Sequence, residues 1–122
     1  MMTIPVSPNA RRLTPEEITQ YNDWGYIKNL PLFDAAAVPA LQQTFHDLAA
    51  LLPDGVDINR INMWHKANRH YDALCRTPAI LDCVEDLIGP DFYQWGGQFF
   101  VKYPGDGSIV PWPARRQIES SG

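Results

Sequence analysis

The apolar spacing of this chain shifts from mainly helical to alternating at Gly89-Pro90, and no other feature constrains its fold as much. Before that point apolar side chains recur at the intervals that line one face of a helix. After it they alternate along Phe92-Tyr93-Gln94-Trp95, break at Gly96-Gly97, and resume along Gln98-Phe99-Phe100-Val101-Lys102-Tyr103, which Pro104-Gly105-Asp106-Gly107 closes. Aromatic-rich runs of this kind, bounded by turn residues, predict two strands and a turn. Gln98, Phe100 and Lys102 would share one face and Phe99, Val101 and Tyr103 the other, because strand side chains alternate. Helices followed by strands in 122 residues predict one domain of α+β class.

Three helices are predicted before the change. Leu13-Thr14-Pro15-Glu16-Glu17-Ile18 offers Thr14 as N-cap, Pro15 at the first helical position, Glu17 to close a capping box and Leu13 to staple onto Ile18. Gly25 permits a left-handed stop, and Tyr26-Ile27-Lys28-Asn29-Leu30 then reads as a short strand. Asp34 can cap a second helix, on which Leu41, Phe45, Leu48 and Leu52 form an apolar stripe; Pro39 is tolerated in its first turns and Pro53-Asp54-Gly55 ends it. The third opens with Thr77 as cap and Pro78, buries Ile80, Leu81, Val84, Leu87 and Ile88, and stops at Gly89-Pro90. Between the second and third, Val56 to His70 has no clean period and carries Asn59, Asn62, Asn68 and three cationic residues. It is expected to be an ordered loop, of a length that often carries function.

With 45% hydrophobic residues the chain can offset the entropy of ordering, so a folded protein is expected. A net charge of -4, with Arg11-Arg12 and Arg115-Arg116 as isolated pairs, provides no basic stripe for nucleic acid. Met1 to Asn9 lacks the charged and apolar regions of a signal peptide, and no run approaches the roughly 20 apolar residues of a membrane span, so a cytoplasmic protein without membrane partners is expected. Cys75 and Cys83 have neither redox nor zinc spacing and read as reduced core residues.

No complete catalytic or metal-binding constellation is visible. His46 reads as a half-exposed helix residue, and His65 and His70 have no acidic partner at ligand spacing. Asp82, Glu85 and Asp86 read as the wet face of the third helix. Asp106-Gly107 reads as a turn and not a phosphate cradle, and no Ser or Cys stands in a nucleophile elbow.

Taken in order, "YNDWGYIKN", "LFD", "TPAILDCVEDLIGPD" and "YQWGGQFFVKYPGDGSIVPW" make Leu13 to Trp112 resemble the N-terminal part of the phytanoyl-CoA dioxygenase family. Residues 1–12 then form an N-terminal extension, 13–112 the family-like part and 113–122 an unpatterned tail. The resemblance implies N-terminal helices packed on the first strands of an incomplete double-stranded β-helix, or jelly roll. It also implies an iron(II)- and 2-oxoglutarate-dependent hydroxylation of a small organic substrate. In that family a His-x-Asp pair that binds iron follows a Pro-Trp like Pro111-Trp112, whereas here Pro113 and Arg115 occupy its places. Metal ligands are therefore none, catalytic residues are none, and neither iron nor 2-oxoglutarate is expected to be held by this chain alone, which reads as truncated and inactive. A shifted reading frame after Trp112 would account for the lost pair and the tail together. Carried over by position, Gln98 corresponds to a residue that reaches the co-substrate or substrate, Lys66 to a lysine of the co-substrate pocket and Lys102 to the pocket mouth.

A second expectation comes from a different class, a non-catalytic interaction module or dimerising domain, with Trp95, Phe99, Phe100 and Trp112 covered by a partner or a second copy. About four strands, where a jelly roll needs roughly eight, would leave open edges through which copies associate.

Overall fold

The structure is a computed structural model, and it describes residues 3–109. The first helix, α1 (Pro15–Trp24), starts as its residues dictate. The Thr14 hydroxyl accepts from the Glu17 N–H at 3.2 Å, and the Glu17 carboxylate accepts from the Thr14 N–H at 2.9 Å, so two donors at the helix start are satisfied reciprocally. Gly25 ends it with φ 85°. Asp34 caps a 3-10 turn over Ala35–Ala37, which runs into α2 (Val38–Ala50).

The predicted loop from Val56 to His70 is more ordered than its sequence suggests. It holds a 3-10 turn (Ile58–Arg60), a single helical turn α3 (Trp64–Ala67), and the start of α4 (Arg69–Cys75). Asn68 separates the two helices and caps the second, its side-chain oxygen accepting from the Tyr71 N–H at 3.0 Å. Such short helices lack the length for an apolar period to register. The last helix, α5 (Pro78–Ile88), lies where expected, but Thr77 does not cap it with its side chain. The Thr77 hydroxyl instead donates back to the Ala73 carbonyl at 3.1 Å, closing α4 in a buried position.

The expected strands are overturned, and with them the α+β class and the incomplete jelly roll. The one pairing among the described residues is an isolated antiparallel bridge between Val6 and Phe33. Tyr26–Leu30 is broken by Asn29, whose φ of 61° is left-handed and incompatible with an extended run. Phe92–Trp95 and Gln98–Tyr103 form no ladder. The alternation downstream of Gly97 does survive in burial: Phe99 and Val101 are half-buried while Gln98, Phe100 and Lys102 are exposed. What is missing is a neighbouring strand, and side chains stand in for one. The described residues are thus helices joined by irregular and extended segments.

The core lies between α2, the 58–71 region and the extended segment. Leu48, Ile58 and Trp64 are its buried members, with Phe45, Leu52, Ile61, Tyr71, Phe99 and Val101 packed around them. Phe99 is its hub, meeting Phe45, Tyr71 and Trp64 at centroid distances of 5.1, 5.4 and 6.2 Å, so it does not belong to an exposed apolar face with Trp95 and Phe100. The N-terminal residues are fastened to α5. Arg12 reaches Asp86 at 2.7 Å and Asp82 at 3.2 Å, and the Leu13 N–H donates to Asp86 at 3.0 Å. The acidic side of α5, expected to be a solvated face, is therefore an anchor for the segment that leads into α1. No helix among the described residues is long and apolar enough to cross a membrane.

Candidate functional site

The chain between Asn59 and Lys66 is held in place by asparagines. Asn59 acts as a strand neighbour for Val101: its side-chain oxygen accepts from the Val101 N–H at 2.7 Å and its amide donates to the Val101 carbonyl at 3.0 Å. Asn62 accepts from the Gly97 N–H at 2.8 Å and from the Met63 N–H at 2.7 Å. Met63 sits at φ 68°, a left-handed conformation that is uncommon for a side chain of its size. The turn this makes starts α3 and carries Lys66 out of the core onto an opening.

That opening is a cleft of about 1000 Å³ between α3, α4, α5 and the Phe92–Gln94 stretch. Its charged lining is Lys66, Arg69, Arg76 and Asp72. Asp72 is engaged with Arg76, both carboxylate oxygens accepting from the Arg76 Nε at 2.9 and 3.0 Å. A guanidinium carries further N–H donors on its terminal nitrogens, and those of Arg76 have no partner among the described residues. Lys66 and Arg69 are exposed and have no ion-pair partner there either. His65 lies in the same wall, with its Nδ1 buried and without a hydrogen-bond partner. A second opening of about 440 Å³, lined by Asn62, Tyr93 and Trp95 among others, shares Lys66 with the first. The arrangement is an electropositive cleft with an aromatic wall, suited to a small anion.

The three residues expected to serve a co-substrate do not converge. Lys66 lines the cleft. Gln98 does not, and its side-chain amide donates to the Asn59 carbonyl at 3.2 Å, tying the extended segment to the loop. Lys102 also lies outside the cleft. Its charge is the smallest influence on Asp106, whose carboxyl is held below the usual range first by the Ser108 N–H, then by the Tyr103 N–H and the Ser108 hydroxyl. Arg69 and Arg76 were missed by sequence reasoning. The signal available was the spacing of Lys66, Arg69 and Arg76 around a helix boundary, which an unrecognised helix concealed.

Elsewhere the titrating groups are structural. Arg11 holds the Glu17 carboxyl down to about 2 from 4.5, through a hydrogen bond at 2.6 Å, with the Thr14 N–H adding to it. The Leu13 N–H and then Arg12 hold Asp86 below its ordinary value. Burial pushes the Cys83 thiol up, and Cys75 and Cys83 are both free.

The described residues contain no group of three His, Cys, Asp or Glu side chains arranged to hold a metal ion. Trp112, Pro113 and Arg115, where the family resemblance would place an iron-binding pair, lie outside the described residues, and neither Pro nor Arg offers a metal-donor atom. Among the described residues, no set of side chains fits an iron centre. Comparison with other proteins gives no name to this arrangement: no protein-family model matches the chain, and no curated protein or solved structure matches it.

Proposed function

We propose that this chain is a cytosolic, amino-terminal part of a 2-oxoglutarate-dependent oxygenase of the phytanoyl-CoA dioxygenase kind, and that its own chemistry is limited to receiving a small carboxylate at Lys66. The observation that carries this is the Lys66 ammonium, without an ion-pair partner among the described residues, on a cleft of about 1000 Å³. An exposed ammonium with no carboxylate beside it loses no existing partner when a ligand carboxylate arrives, and a charge-assisted hydrogen bond forms. Arg69 on the same wall adds positive potential. The segment order from Leu13 to Trp112 supports the family, in which the parent reaction is hydroxylation of a small organic substrate. Iron has no fitting donor set among the described residues, and the part left to this chain is to bind the carboxylate. The keto acid differs from the earlier expectation: Lys66 offers it a foothold even without the metal.

Calorimetric titration of the purified chain with 2-oxoglutarate tests this. Weak saturable binding is expected, with Lys66→Ala lowering the affinity about fivefold, as befits roughly 1 kcal/mol at an exposed charge. Equal affinity in Lys66→Ala, or release of carbon dioxide from the keto acid by this chain with ferrous ion and oxygen, would refute the reading.

A further inference from the structure

Along the Gly97–Tyr103 segment the backbone hydrogen bonds fall on one edge, at Gly97, Val101 and Tyr103, while Phe99 on that edge has none among the described residues. In an extended chain the N–H and C=O of one residue face the same side, and those of the next residue face the other. On the odd-numbered side, the Gly97 N–H donates to Asn62 at 2.8 Å and the Gly97 carbonyl accepts from the Trp64 N–H at 3.4 Å. Val101 exchanges both of its groups with the Asn59 side chain. The Tyr103 N–H donates to the Asp106 carboxylate at 2.8 Å, and the Tyr103 carbonyl accepts from the Asp106 N–H at 3.2 Å. On the even-numbered side, the backbone groups of Gln98, Phe100 and Lys102 have no partner among the described residues. Beneath them Phe99 is held by the aromatic core, so the edge is presented by an anchored segment.

We propose that this edge pairs antiparallel with the same edge of a second copy, centred on Phe100. The register follows from the sequence. Phe100 faces its own counterpart, and Gln98 of each copy faces Lys102 of the other. Like charges directly opposite one another destabilise a pair, and in this register each lysine meets a neutral amide. A shift of two residues toward Lys102 would set lysine opposite lysine. The window is bounded at both ends: the Gly96 carbonyl already accepts from the Gln94 amide at 3.0 Å, and Pro104 has no N–H. Three facing pairs remain, with about six hydrogen bonds between copies. Phe100, 70% exposed, loses water against its twin. The pairing is isologous, so it closes at two copies and does not propagate. It is independent of any ligand at Lys66.

Register-specific crosslinking tests it. Chains carrying Gln98→Cys or Lys102→Cys are prepared in a Cys75→Ser, Cys83→Ser background and oxidised separately and as an equimolar mixture. Facing residues of a hydrogen-bonded pair lie about 5.5 Å apart at Cα, within disulfide reach, whereas a residue and its own copy are separated by several residues of register. The mixture is expected to give roughly tenfold more crosslinked dimer than either chain alone. Phe100→Pro removes one N–H from each copy and is expected to weaken dimerisation about thirtyfold in sedimentation equilibrium. Equal crosslinking in all three samples overturns the proposal. So does a chain that sediments as a monomer at every concentration, including one whose edge is covered by its own residues 110–122.

Discussion

If Asn59 truly replaces a neighbouring strand, Asn59→Ala should loosen the extended segment without changing any core side chain. The substitution removes both hydrogen bonds to Val101, at 2.7 and 3.0 Å in a partly buried setting. Each typical bond contributes about 1 kcal/mol net, and a donor or acceptor left without a partner adds a further cost, so a total loss of about 2–3 kcal/mol is expected. The Gln98 bond is made to the Asn59 backbone carbonyl and remains. Urea unfolding followed by tryptophan fluorescence would report the loss as a lower midpoint with an unchanged slope. A thermal scan should show a drop of roughly 10–15 °C, because a domain of this size shifts several degrees per kcal/mol. Asn59→Asp keeps an acceptor for the Val101 N–H but turns a donor into a second acceptor facing the Val101 carbonyl, so it should recover little of the loss. A penalty below about 0.5 kcal/mol for Asn59→Ala, the range of an ordinary surface substitution, would refute the idea that this side chain holds the segment.

Two further outcomes follow from the packing and the charges. Leu48 is 2% exposed at the centre of the core, and Leu48→Ala should cost about 3 kcal/mol in the same urea assay, whereas Leu51→Ala, at 77% exposure just past the end of the same helix, should be nearly neutral. Glu17 ionises more readily when folded, at about 2 against 4.5, so its stabilisation is fully present above 4.5 and is lost as pH falls toward 2. Stability measured across that window should fall less steeply in Arg11→Ala than in the wild type, and parallel curves would show that the Arg11 contact is not the cause.

Much of the helical framework was legible in the sequence because its determinants lie within a turn or two of each other. The Thr14–Glu17 box and the Gly25 stop need only neighbouring residues, and the α2 stripe needs only a period. The loop from Val56 was less legible. Its helices are set by Asn68 as a local cap and by Met63 in a left-handed conformation, neither of which a search for apolar periodicity detects. Of the residues lining the cleft, Lys66 was singled out through the family resemblance, while Arg69 and Arg76 were not, since their relation to it exists only once α4 is formed.

The extended segment marks the division between what the chain specifies locally and what its tertiary structure decides. Alternation along Gln98 to Val101 determined which side chains face the core, and Phe99 and Val101 do pack there, whereas Tyr103, expected on the same face, is 54% exposed. Whether that segment is a strand depends on what its backbone meets, and here it meets Asn59, Asn62 and Asp106 in place of a ladder. In the same way the acidic residues of α5 became an anchor for Arg12 from 70 or more positions away. Caps and periods are short-range and can be read in one dimension. Hydrogen-bond partners and ion pairs between remote segments exist only after the chain has closed on itself, and those contacts assigned the cleft, the open edge and the anchored N-terminal residues.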